Sequence, residues 1–124
     1  MKLQPDRIEG VNAVSGLIPG AVSINGVVHR RSIVVPWQGE VIEWNVGRFE
    51  ELTPDHFRTV ADLSPELVIF GSGDRLRFPA PALMRPLIER RIGLETMDIG
   101  AACRTYNVLV SEGRRAAVAL LLGT

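Results

Sequence analysis

Hydrophobic and polar positions change period several times along the chain, and the second half reads most clearly. Residues 67–70, Leu-Val-Ile-Phe, form a continuous apolar run that ends at Gly71-Ser72-Gly73. Such a run, bounded by glycine, predicts a strand buried on both faces, as in a parallel sheet covered by helices. Residues 82–91 then place Leu83, Met84, Leu87 and Ile88 on one helical face, with Arg85, Glu89 and Arg90 away from it. Gly93 ends that helix, and residues 94–97 form the next strand. Asp98 is a candidate N-cap for a helix reaching about residue 111, whose stripe is Ala102, Tyr106, Leu109 and Val110. Gly113 stops it, and residues 116–122 make a last strong strand. Residues 66–122 therefore predict a β-α-β-α-β unit, and right-handed crossovers put both long helices on the sheet.

The first half is less regular. Residues 1–20 read as an extended or irregular arm, with Gly10, Gly16, Pro19 and Gly20 as breakers. Residues 21–24 and 27–35 read as two strands around Asn25-Gly26, because a type I′ hairpin turn needs positive φ at both central residues. Pro36 closes the second strand, since it supplies no ladder donor. Residues 41–46 alternate as a third short strand, and Thr53-Pro54-Asp55 starts a short helix that ends near Leu63. Trp37 and Trp44 flank the turn at Gly39. Burial against the sheet is the ordinary fate of such side chains, and an anchor at a protein interface is the alternative.

Length and charge narrow the function classes. At 124 residues the chain fits one domain, 1–124. Basic and acidic residues number 14 each, so nothing global favours a nucleic-acid partner, although Arg30-Arg31, Arg90-Arg91 and Arg114-Arg115 form local pairs. Cys103 is the only cysteine, which excludes an intramolecular disulfide and a thiolate zinc cluster. Two histidines, His29 and His56, in separate elements point to no metal, and no cofactor is implied. No stretch is long enough to cross a bilayer, so direct membrane insertion is not expected. The opening residues lack a signal peptide's apolar segment, and a cytoplasmic protein is the expectation.

Chemistry, if any, belongs beyond the carboxyl ends of the strands. Two loops leave such ends: residues 71–75, holding Gly71, Ser72, Gly73 and Arg75, and residues 98–104, holding Asp98, Cys103 and Arg104. Parallel neighbours would face these loops across a shallow crevice. Gly71 and Gly73 allow close backbone approach to an anion, with Ser72 and Arg75 as donors; the plainer reading is a tight turn, since a full GxGxxG is absent. Cys103 lies early in its helix, where amide dipoles and Arg104 favour a thiolate, but it sits at the edge of the buried stripe and no histidine is near in sequence. Tyr106 points along the core stripe and its hydroxyl needs a partner. Arg104 and Asn107 lie toward the opposite face, open to a ligand, a protein or water. Asp98 reads as a helix cap before a general base. None of these residues forms a complete catalytic set.

The same loops carry a family resemblance. Residues 65–73, Phe78-Pro79-Ala80-Pro81, residues 93–98, residues 101–109 and residues 112–121 stand in the order of one family's motifs. In these segments the chain resembles the family that includes mitochondrial complex I (NADH:ubiquinone oxidoreductase) assembly factor three, whose prokaryotic members were filed as domain of unknown function 498. The likeness extends loosely through residues 24–26 and 32–36, while residues 12–19 depart from the family's glycine-rich, aromatic segment. The resemblance implies a three-layer α/β sandwich with a mixed central sheet, in which an N-terminal β-hairpin precedes the β-α-β-α-β half. It also implies an accessory, assembly or protein-interaction role rather than a settled enzymatic activity. The partner it implies is another protein, with a membrane complex one candidate. The competing reading is a small-molecule or anion-binding protein, with enzymatic activity an option, that uses loops 71–75 and 98–104. Oligomeric state is not readable from the residues.

Overall fold

A computed structural model describes residues 10–123. Three strands, β1 (Val14–Ile18), β2 (Ala21–Ile24) and β3 (Val27–His29), form an antiparallel sheet in that order. The chain then crosses to a five-stranded sheet through β4 (Ile33–Val35) and the two-residue β5 (Ile42–Glu43). Helix α1 (Pro54–Ala61) precedes β6 (Leu67–Gly71); a 3-10 turn at Pro81–Met84 leads into the short α2 (Arg85–Glu89). β7 (Gly93–Met97), α3 (Ile99–Ser111) and β8 (Ala116–Leu120) complete the order. The larger sheet runs β5-β4-β8-β6-β7; β6 is parallel to β7 and β8, and β4 is antiparallel to β5 and β8. The sheet is therefore mixed.

The three layers follow from β6 and β8, which are apolar on both faces because both faces are covered. Ala116, Val118, Leu120 and Ile69 pack with α3 and the three-stranded sheet. Ala117, Ala119, Val68 and Phe70 pack on the other side, against residues of α1 and α2. On that second face Trp44, Phe57 and Phe70 meet edge to face at 5.7–5.9 Å between centroids. Trp44 is buried there and its indole N–H donates to His56 O at 2.9 Å. Trp37 is half-buried against the opposite core.

Four expectations change. β1 occupies part of the arm predicted for residues 1–20; residues 1–9 of that arm lie outside the described residues. Pro19-Gly20 is the two-residue turn that joins β1 to β2, with Ile18 opposite Ala21 and Gly20 at φ +76°. The predicted strand over residues 27–35 is two strands in two sheets. The chain leaves the first at exposed Arg30-Arg31 and enters the second at Ser32, whose buried hydroxyl accepts from Leu122 N at 2.9 Å. The strand predicted over residues 41–46 keeps ladder pairing only at Ile42 and Glu43. The helix predicted over residues 82–91 is a 3-10 turn and five α-helical residues. Pro86 and Leu87 face inward while Ile88 is 59% exposed, because Pro86 takes the buried place.

Candidate functional site

The two predicted loops leave neighbouring parallel strands, since Gly71 pairs with Met97 at the ends of β6 and β7. They are stitched together rather than parted. Ser72 N donates to Met97 O at 2.8 Å and Ile99 N donates to Gly73 O at 2.8 Å. Ser72 is fully buried; its hydroxyl donates to Arg75 O at 2.8 Å and accepts from Arg77 N at 2.9 Å. Asp98 caps α3 by accepting from Ala101 N at 2.9 Å. The donors of this region are directed at protein acceptors, and the Arg75 and Asp98 side chains are exposed at its surface.

Gly71 has a packing reason. A Cβ there would lie 2.9 Å from Leu120 Cδ2, 3.1 Å from Ala102 Cβ and 3.5 Å from Ile99 Cα, so the missing side chain lets α3 rest on β6. Gly71→Val is expected to lose about 1–3 kcal/mol by overpacking, read as a lower urea midpoint. Wild-type stability in that variant would mean that α3 lifts off β6 freely.

The α3 residues divide by face. Cys103 is fully buried, and burial pushes its thiol up to about 12 against the weaker opposing charge of Arg104. Tyr106 is buried, its hydroxyl pKa also raised by burial, with Pro36 O at 2.9 Å and Asn12 O at 3.1 Å as acceptors. Asn107 is not on the solvent face expected for it. It is 7% exposed, accepts from Val14 N at 2.9 Å and donates to Val14 O at 2.8 Å, and so fastens α3 to β1. Arg104 is exposed.

A cleft of about 620 Å³ opens at the carboxyl ends of β6 and β8. Its walls are Leu17 to Gly20 from the β1–β2 turn, Gly73 and Asp74 after β6, Ile99 at the start of α3, and Leu121 to Gly123 after β8. Of the nine predicted site residues only Gly73 lines it. The crevice expected between loops 71–75 and 98–104 is not this cleft, whose second wall comes from a turn that sequence reasoning took as a break. Pro at the first and Gly at the second central position is a turn signature, and that signal was available.

Three further residues were missed. Arg77 follows the glycine loop and turns inward. Its guanidinium lies 4.7 Å from the Phe49 ring centroid, its Nη2 donates to Ser72 O at 3.4 Å, and its Nη1 is 3.5 Å from Glu50 Oε1. Ser72 and Arg77 together hold the loop while Leu76 (50% exposed) and Phe78 (70% exposed) project outward. An arginine between two exposed apolar residues carries no periodic signal. Among the described residues no group of three or more His, Cys, Asp or Glu is placed to hold a metal. No helix of the described residues is long and apolar enough to cross a membrane.

A family profile described as "Protein of unknown function (DUF498/DUF598)" matches residues 14–121. The chain belongs to that family. Relatives bear out the resemblance drawn from the motifs. NADH dehydrogenase [ubiquinone] 1 alpha subcomplex assembly factor 3 of Bos taurus is 37% identical over 83 residues, covering 65% of this chain and 45% of its own. The chain thus spans about half the length of the curated relatives it matches. A crystal structure of a protein from Bordetella parapertussis superposes with a TM-score of 0.87 at 36% identity, covering 94% of this chain and 99% of the other. A solution structure from Bordetella pertussis, a Mth938-like domain, gives 0.84 at 32% identity over 98% and 92%. The three-layer DUF498/DUF598 fold with its mixed sheet is the fold of this chain.

Proposed function

We propose that the chain is an accessory protein in the assembly of a multi-subunit complex and acts by protein–protein contact rather than by catalysis. The 83-residue match to the bovine assembly factor carries this reading. The geometry supports it in two ways. The polar groups of Ser72, Tyr106 and Asn107 are engaged within the fold, and Cys103 is buried. Leu76 and Phe78 are the reverse case, large apolar side chains shown to solvent on a loop that Ser72 and Arg77 hold in place. Binding through a pre-ordered aromatic loses little conformational freedom, so such a residue suits a contact hot spot. The partner is another protein; membership of a membrane complex fits the relatives, and a formal net charge of zero gives no pull toward nucleic acid.

Affinity capture from a lysate of the source organism tests the proposal, with the wild-type chain beside Phe78→Asp. The expected result is a reproducible set of subunits from one complex. Loss of a hot-spot contact of about 2 kcal/mol weakens the affinity roughly 30-fold in the variant and so lowers recovery, with an unchanged unfolding midpoint. Wild-type capture no better than background overturns the assembly reading, and equal capture by both chains removes the loop as its contact surface.

A further inference from the structure

The cleft at the carboxyl ends of β6 and β8 is mostly apolar along its walls. Leu17, Ile18, Pro19, Ile99, Leu121 and Leu122 supply the apolar surface, and among the described residues of the lining the one charged is Asp74. Three backbone donors along it are used inside the fold: Ile99 N to Gly73 O, Leu121 N to Gly71 O, and Leu122 N to the Ser32 hydroxyl. The carbonyl oxygens Leu121 O and Gly123 O lie 3.9 and 4.0 Å from where a Cβ of Gly73 would stand, and Arg77 Nη2 lies 3.7 Å from the same point. Arg77 is the cation near Gly73; its Nη atoms meet Ser72 O and Glu50 and its guanidinium lies over the Phe49 ring, while its buried Nε makes no hydrogen bond, and it is not among the described lining residues.

We propose that this cleft is a binding site for a small apolar ammonium ion, with the hydrocarbon between the β1–β2 turn and Leu121-Leu122 and the N–H donors on Asp74. The volume of about 620 Å³ lies within the ordinary range for small-molecule sites. Ligands of open α/β sheets gather at this end of the strands. Charge decides between amphiphiles that share one tail. A carboxylate head would meet Asp74 with no cationic side chain among the described residues of the lining, a hydroxyl would donate one neutral hydrogen bond, and an ammonium would donate charge-assisted ones. This inference goes beyond the assembly reading and does not depend on it.

The test titrates n-octylammonium, 1-octanol and octanoate separately into the ¹⁵N-labelled full chain near neutral pH and low salt, following amide shifts. Saturable shifts centred on Leu17 to Gly20 and Leu121 to Gly123 are expected. The ammonium should bind at least tenfold more tightly than octanoate, with octanol between them. Asp74 is exposed, so Asp74→Asn should keep the fold and remove the preference, and Asp74→Lys should reverse it. Equal or tighter octanoate binding, a preference that survives Asp74→Asn, shifts centred elsewhere, or no saturable binding would each overturn the proposal.

Discussion

Asn107→Leu is expected to destabilise the chain by about 1–3 kcal/mol for each of two orphaned backbone groups. β1 is an edge strand of the three-stranded sheet, and its other neighbour is α3 rather than another strand. At Val14, which is fully buried, both the N–H and the carbonyl are satisfied by the Asn107 amide, at 2.9 and 2.8 Å. Leucine keeps the same branched layout of side-chain heavy atoms but answers neither group, and the burial of Val14 keeps water from replacing the amide. The same position marks the register irregularity between Val14 and Gly16, so the side chain also fixes where β1 sits on β2. Urea unfolding measures the loss, and amide exchange at Val14 should accelerate more than exchange in β6 or β8. A loss below 1 kcal/mol would mean that β1 re-registers to satisfy itself. Asn107→Asp keeps the acceptor for Val14 N but sets a carboxylate against Val14 O, so it should not restore stability.

The central sheet and α3 were legible because their signals are local. The run at 67–70 and the run at 116–122 are apolar throughout, and such runs have no other use in a chain this short. The three-stranded sheet was less legible for a physical reason. Its β1–β2 turn is Pro19-Gly20, and those residues mark a chain break or a tight turn equally well until the pairing partners are known. Residues 27–35 look like one strand because β-propensity does not record which sheet a strand joins. The change occurs at Arg30-Arg31, where the backbone leaves β2 and Ser32 anchors the chain to Leu122.

The lining of the cleft was not legible in the sequence. Parallel strands put the cleft at their carboxyl ends, as expected from topology. Which side chains reach it depends on a turn at Pro19-Gly20, far in sequence from Gly73, and on hydrogen bonds that occupy Ser72 and Asp98. Asn107 is the clearest case. A helical wheel turns it away from the buried stripe, and only the presence of β1 alongside makes that face an interior.

Raising the pH above about 9 is expected to cost the chain stability, and Cys103 accounts for the first part of the loss. Its thiol lies among Ile69, Tyr106 and Val118 in the core around α3, and desolvation raises its pKa from 9.0 to about 12. Below pH 9 the thiol is protonated in both folded and unfolded chains and contributes no pH dependence. Between the two values the unfolded chain releases its proton while the folded one retains it, so stability falls as pH rises. The slope approaches about 1.4 kcal/mol per pH unit, on the order of 4 kcal/mol over the whole interval. Tyr106, shifted in the same direction by the same burial, adds its own loss from about pH 10 upward. Urea midpoints between pH 8 and 11 measure the effect, with Cys103→Ala as the comparison. The variant starts lower because of its small cavity, but its curve should stay flat to about pH 10 where the wild type has begun to fall. Parallel curves over pH 8–10 would show that the core admits a thiolate. A falling wild-type curve means instead that near pH 7 the thiol is neutral as well as enclosed, which leaves packing as its work and directs the search for function to the exposed loop and the cleft.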